Sequence, residues 1–216
     1  MLYHVFRLLL VAPIVWWIYR VTVSGKKNLP KKGGFILAAN HLAKSDSAII
    51  VSIFRRKIIF GAKKEYFVGR GIAGQFVKWF FRSSDQIPVD RTGRGAVAFI
   101  NDAVSAVKQR KIVGLHVEGT RSPDGRLYKA RVGVAKIAKA SHVPIVPIAI
   151  IGTDVAKPAG RRKKVRIIIG KAIHHDEYKD LSPNQIAALV TQRIHQLSGQ
   201  ELVDDYAPIP VPKDLH

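Results

Sequence analysis

The sequence predicts an α/β domain with a mostly parallel, mixed sheet flanked by helices, led by an apolar helix suited to a membrane interface. Two observations predict it. Short apolar runs at residues 35–40, 57–62, 86–90, 112–117, 145–151 and 165–170 alternate with helical stretches, the pattern of a parallel sheet with crossover helices. The chain has 216 residues, 47% of them hydrophobic, enough to bury a core and far from the composition of a disordered chain. One domain fits that length.

Taken in order, the first element is an apolar run over residues 8–18, flanked by Arg7 and Arg20. It falls short of the ~20 residues that span a bilayer. No small-residue cleavage site follows, as a signal peptide would need. Trp16, Trp17 and Tyr19 beside basic residues favour a helix lying among lipid headgroups, and the same helix can also pack on the domain. Residues 1–20 are therefore read as a membrane-associating helix, 21–203 as the main domain, and 204–216, rich in proline, as a loose tail.

Residues 25–34 are basic and turn-rich, and the first strand follows. A helix is expected over 45–54, closed by Arg55, Arg56 and Lys57, whose charge suits a helix C-terminus. After the strand at 57–62 comes an aromatic stretch containing Gly69, Gly71 and Gly74, read as a flexible loop. Helices are expected at 95–110, where Ala96, Phe99, Ile100, Ala103 and Val107 share a face, and at 132–140. Pro183 opens a last helix to about 197 as a good first-turn residue.

Composition narrows the function classes. There are no cysteines, which removes disulfides, thiolate metal sites and a cysteine nucleophile. A net charge of +21 calls for a polyanionic partner: nucleic acid, an anionic membrane surface or phosphorylated substrates. Nucleic-acid binders interleave basic residues with stacking aromatics, whereas Trp16 and Trp17 sit in an apolar run. The reading is therefore an anionic membrane surface and no nucleic acid, with a non-enzymatic basic binding protein as the alternative class.

His41 and Asp46 lie at and beyond the end of the first strand. Five helical steps would separate the side chains by roughly 140°, so a turn must bring them together. A histidine held by a carboxylate makes a base near neutral pH. Spacing alone is weak, because about 0.4 such pairs are expected by chance, and His175 with Asp180 forms a second one. Position favours the first pair. Asn40-His41, Lys63-Lys64, Asp90-Arg91 and Glu118-Gly119-Thr120-Arg121 each follow an apolar strand, and ligands of open parallel sheets bind at the strands' carboxyl ends.

These blocks carry a resemblance. Asn40-His41 with Asp46, then Ile87-Pro88-Val89-Asp90-Arg91, then Glu118-Gly119-Thr120-Arg121-Ser122, then Val143-Pro144-Ile145-Val146-Pro147 resemble, in order and approximate spacing, the four blocks of the glycerolipid acyltransferases. Within that superfamily the chain looks most like the bacterial 1-acyl-sn-glycerol-3-phosphate acyltransferases. The resemblance covers about residues 34–151. It implies transfer of a fatty acyl group from acyl-CoA or acyl carrier protein to lysophosphatidic acid, giving phosphatidic acid, on the cytoplasmic face of the cell membrane. The same chemistry on glycerol 3-phosphate or another lysolipid is the nearest alternative. One departure stands out: many members carry a serine two residues after the histidine, where this chain has Ala43, and that bears on acceptor preference.

Residue by residue, His41 is expected to be the base and Asp46 the carboxylate that fixes its tautomer. Arg91 and Arg121 suit a phosphomonoester through bidentate, charge-assisted hydrogen bonds, and Lys63 would add a point charge. Gly119 and Thr120 would admit backbone and hydroxyl donors, while Glu118 would orient an arginine or bind glycerol. No Gly-x-Ser-x-Gly elbow is present, so direct transfer without an acyl-enzyme is expected, with no metal and no cofactor. Pro144 and Pro147 would shape an acyl channel or simply the strand.

Overall fold

The computed structural model describes residues 2–69, 71–89, 93–154 and 162–209. Its strands are β1 (Tyr19–Ser24), β2 (Phe35–Ala39), β3 (Ile58–Lys63), β4 (Ile87–Val89), β5 (Ile112–His116), β6 (Leu127–Tyr128), β7 (Ile145–Ile151), β8 (Lys163–Ile169) and β9 (Leu202–Val203). Seven of them form one sheet in the order β1-β8-β7-β2-β5-β3-β4, and β6 pairs with β9 apart from it. Every neighbouring pair in the large sheet is parallel except β7–β8. The predicted mixed, mostly parallel α/β sheet is what forms.

Alternation along β2 explains the layering, because successive side chains leave a strand on opposite faces. Ile36 and Ala38 join one apolar cluster with Ala103, Val107, Val134, Ile137, Ile186 and Val190. Those partners come from α5 (Gly93–Lys108), α6 (Gly133–Ser141) and α8 (Pro183–Ser198), as numbered along a chain that also contains α1 (Leu2–Phe6), α2 (Ala12–Ile18), α3 (Asp46–Ile53), α4 (Gly71–Ser83) and α7 (His175–Tyr178). Phe35, Leu37 and Ala39 face the other way, against Val15 of α2 and Ile49 and Ile50 of α3. All five β2 residues are fully buried, as a central parallel strand covered on both faces requires.

The N-terminal helix runs through α1, a wide π-turn at Arg7–Val11, and α2. Pro13 lacks the N–H that an ordinary turn would use and crowds the preceding carbonyls. The widened turn, in which Ala12 N–H reaches Arg7 O, accommodates it. One face packs on the domain: Tyr3, Ala12 and Val15 are buried. Leu8, Leu9, Ile14, Trp16 and Trp17 remain exposed, Leu9 at 75% and Trp17 at 78%. Among the described residues, no helix is long and apolar enough to cross a membrane.

Three local readings change. Tyr19–Ser24, not foreseen as a strand, is the edge strand β1, its residues alternately half-buried and exposed. The stretch read as a glycine loop is largely α4, packed on α1 through Phe6 against Trp79 and Phe80. Its glycines serve the entry, where Gly69 and Gly71 have φ of +70° and +68°. The strand expected at 145–151 forms as β7 with Pro147 inside it, in register with Ala38. The tail is tied down at its start: Ala207 is buried and accepts from Arg131, and Lys129 N–H donates to Asp205 O.

Candidate active site

Asn40 ends β2, and its fully buried side chain replaces the next rung of the sheet. Its amide donates to Ile150 O at 2.8 Å and to Gln200 Oε1 at 2.7 Å, while its Oδ1 accepts from Ile150 N–H at 2.7 Å. This clamp fixes where the next residue, His41, leaves the sheet.

His41 and Asp46 do meet. His41 Nδ1 lies 2.9 Å from Asp46 Oδ2, and the same oxygen accepts from the backbone N–H groups of Leu42 (2.7 Å) and Ala43 (2.8 Å). The carboxylate thus folds the intervening residues into the turn that five-residue spacing demands. Asp46 is fully buried at the start of α3, where the helix dipole favours an anion. Burial alone would raise its carboxyl; the His41 bond, the Ala43 amide, His116 and Thr153 outweigh that and hold it below the ordinary range. An ionised Asp46 accepts the Nδ1 proton, which leaves His41 Nε2 as the basic nitrogen.

The Glu118-Gly119-Thr120-Arg121 turn follows β5 and grips His41 from both sides. Glu118 Oε1 accepts His41 N–H at 3.2 Å, and Ser122 N–H donates to His41 O at 2.8 Å. Burial raises the Glu118 carboxyl to about 8, against the pull of the His41 and Tyr128 amides. Gly119 turns with φ +75°, and a Cβ there would stand 2.7 Å from Arg131 Cδ, so only glycine fits without displacement. Its own N–H is spent on His116 O at 3.0 Å. Arg131, not anticipated, props the turn from below by donating to Glu118 O at 3.1 Å.

Among the other expected residues, Thr120 is buried, and Arg121 is exposed with no hydrogen bond or ion pair among the described residues. Lys63 closes β3 in register with Val89 of β4. Arg91 lies outside the described residues. The sheet thus carries His41, Asp46, Lys63 and the Glu118–Arg121 turn at one set of strand ends.

The residue that sequence reasoning missed is His116. Its ring stacks on His41 with centroids 3.9 Å apart and planes within 15°. Nothing in periodicity or spacing links the two, because their contact depends on the register of β2 with β5, Ala39 opposite His116. His41, Asp46 and His116 bring possible metal-ligand atoms within 4.8 Å. Nδ1 of both rings and Asp46 Oδ2 are hydrogen-bonded, while Asp46 Oδ1 is buried without a hydrogen-bond partner.

An apolar groove of about 310 Å³ is lined by Leu10, Val11, Ile14 and Val15 of the N-terminal helix, Ala48 of α3, and Val77, Phe80 and Phe81 of α4. Tyr19 OH, at the helix's end, donates to Ser45 Oγ at 2.9 Å, tying that helix to the residue before Asp46.

A buried histidine–aspartate pair and a glutamate-arginine turn thus share the strand-end rim of an α/β sheet. The Acyltransferase family model matches residues 20–151, and the chain belongs to that family. It is 32% identical over 178 residues, 82% of this chain and 85% of the relative, to the 1-acyl-sn-glycerol-3-phosphate acyltransferase of Bacillus subtilis. The enzyme of the same name from Limnanthes douglasii is 28% identical over 68% of this chain, which spans about half (51%) of that longer relative. The fold is similar to the crystal structure of the 1-acyl-sn-glycerophosphate (LPA) acyltransferase PlsC from Thermotoga maritima. That match has a TM-score of 0.68 and 28% identity, and covers 86% of this chain and 74% of the other.

Proposed function

We propose that this chain transfers a fatty acyl group from an acyl thioester, acyl-CoA or acyl carrier protein, to the free hydroxyl of 1-acyl-sn-glycerol-3-phosphate, forming phosphatidic acid. The observation that carries the reading is the 2.9 Å His41–Asp46 contact with Nε2 left for substrate; the relatives' names support the acceptor. His41 Nε2 takes the hydroxyl proton as the oxygen attacks the thioester carbonyl. The C–O bond forms, the C–S bond breaks, and the imidazolium returns its proton to the departing thiolate. Asp46 stabilises the charge that His41 carries in between.

Arg121, exposed and unpaired among the described residues, binds the acceptor's phosphate as a bidentate partner, with Lys63 and Arg91 as further cations and Thr120 as a hydroxyl donor. The acceptor lies in the layer of headgroups facing the protein. The exposed face of Leu8, Leu9, Trp16 and Trp17 enters that layer, held to anionic lipid by the basic excess at roughly 1 kcal/mol per nearby cation. The protein works in this way as a peripheral enzyme of the cytoplasmic membrane face. A labelled-acyl assay with lysophosphatidic acid, other lysolipids and glycerol 3-phosphate tests it. Lysophosphatidic acid is expected to be the preferred acceptor; transfer confined to a different acceptor would overturn the substrate, and no transfer at all the activity.

A further inference from the structure

His116 is held more firmly than a filler residue needs to be. Nδ1 lies 2.9 Å from the backbone carbonyl of Asn40, which can only accept, so Nδ1 carries the proton. Nε2 lies 2.9 Å from Ser47 Oγ, whose hydroxyl then donates to it. The ring of Phe60 also lies 5.6 Å from it, within 19° of parallel. Phe60 in turn occupies the space over Gly114, where a Cβ would come within 2.4 Å of the Phe60 ring. A stack of Phe60, His116 and His41 thus runs from the core to the base.

We infer that His116 is a positioning residue for acyl transfer, a neutral aromatic floor that fixes the plane of His41 and lies against the charge His41 gains during the reaction. The inference deepens the proposed function and rests on His41 acting as base. A flat neutral ring face attracts a cation, whereas a second imidazolium at this distance would repel it. Among the described residues, the titratable groups acting on the His116 ring are His41 and Asp46, and Phe60, Ser47 and the Asn40 carbonyl also contact that ring. Burial first, and His41 second, push the His116 imidazole down to about 4. It is therefore uncharged near neutral pH. Asp46 and the Asn40 carbonyl pull the other way and do not prevail.

Steady-state kinetics with lysophosphatidic acid and acyl-CoA, on wild type, His116→Ala and His116→Phe, test the role. A ring free to tilt is expected to lower kcat by about 10- to 100-fold in His116→Ala, with the acceptor KM within about twofold. His116→Phe restores a neutral floor and is expected within about fivefold of wild type. Wild-type kcat in His116→Ala, or a His116→Phe as slow as His116→Ala, would overturn the role. If His116→Ala does not fold, His116→Phe and imidazole nitrogen NMR of the wild type decide it. NMR is expected to show His116 as the neutral Nδ1–H tautomer from about pH 5.5 to 8; a charged His116 in that window overturns the floor. An inactive wild type would sink the proposed activity instead, while the NMR result still judges the stack.

Discussion

Two histidines in this chain stand five residues before an aspartate, and comparing them shows what joins only one of them to its carboxylate. His41 and His175 both follow a strand, and both rings stack on another histidine, His116 at 3.9 Å and His142 at 4.5 Å. In both places a glutamate accepts a backbone N–H: Glu118 from His41, and Glu177 from His174. The aspartates differ. Asp46 is fully buried and gathers His41, Leu42 and Ala43 on one oxygen. Asp180 is exposed and makes no hydrogen bond or ion pair among the described residues, and His175 Nδ1 is buried without a hydrogen-bond partner. Spacing permits a dyad; a turn closed on the carboxylate makes one.

The sharpest way to break this comparison is to remove each histidine in turn. His41→Ala is expected to lower kcat by about 10²–10⁴-fold, the usual contribution of a general base, while His175→Ala stays within about twofold. In the same labelled-acyl assay, Asp46→Asn should fall by about 10²-fold or more through loss of the correct tautomer, and Asp180→Asn should match wild type. A large loss in either residue of the 175–180 pair would reverse the assignment.

A smaller effect tests the neighbouring turn, which has no counterpart beside His175. Arg121→Ala is expected to raise the KM for a phosphorylated acceptor by about tenfold, with kcat less affected; an unchanged KM in initial-rate measurements would remove the phosphate role. The smallest effect concerns Glu118. Its folded carboxyl sits at about 8, against an ordinary value of 4.5, so between those two the unfolded chain loses its proton first. Stability contributed by the protonated form is complete below about 4.5 and declines as pH rises towards 8. Glu118→Gln, which cannot ionise, is expected to gain melting temperature relative to wild type as pH increases from 5 to 8 in steps (roughly the span of that shift). A constant difference across those melts would contradict it.

The parts of this molecule that could be read beforehand share a cause. Buried parallel strands are apolar throughout, so β2, β3, β5 and β7 announce themselves, and the polar residues just past their ends mark the rim. The motif residues His41, Asp46 and Glu118–Arg121 were legible for that reason. His116 was not, because it becomes a neighbour of His41 only through strand register. β1 was missed because its alternation follows directly on the apolar helix, where Tyr19 reads as that helix's last aromatic. α4 was missed because Gly69, Gly71 and Gly74 suggest a loop, while Val77, Phe80 and Phe81 find their apolar partners in the distant N-terminal helix. Arg131 lies beyond the motif in sequence and meets it only where Gly119 leaves room.

The double grip on the His41 backbone, by Glu118 Oε1 and by Ser122 N–H, has a metric consequence. Arg121 is bonded directly to the residue that holds His41 O, so the proposed phosphate anchor and the base are two jaws of one gauge. An acceptor seated on Arg121 presents its hydroxyl to His41 only if phosphate and hydroxyl are separated by the opening of that gauge. Length of the lipid tail does not enter the measurement. On the proposed acceptor, regiochemistry on the glycerol unit would follow from the backbone, and chain length would be left to apolar surfaces.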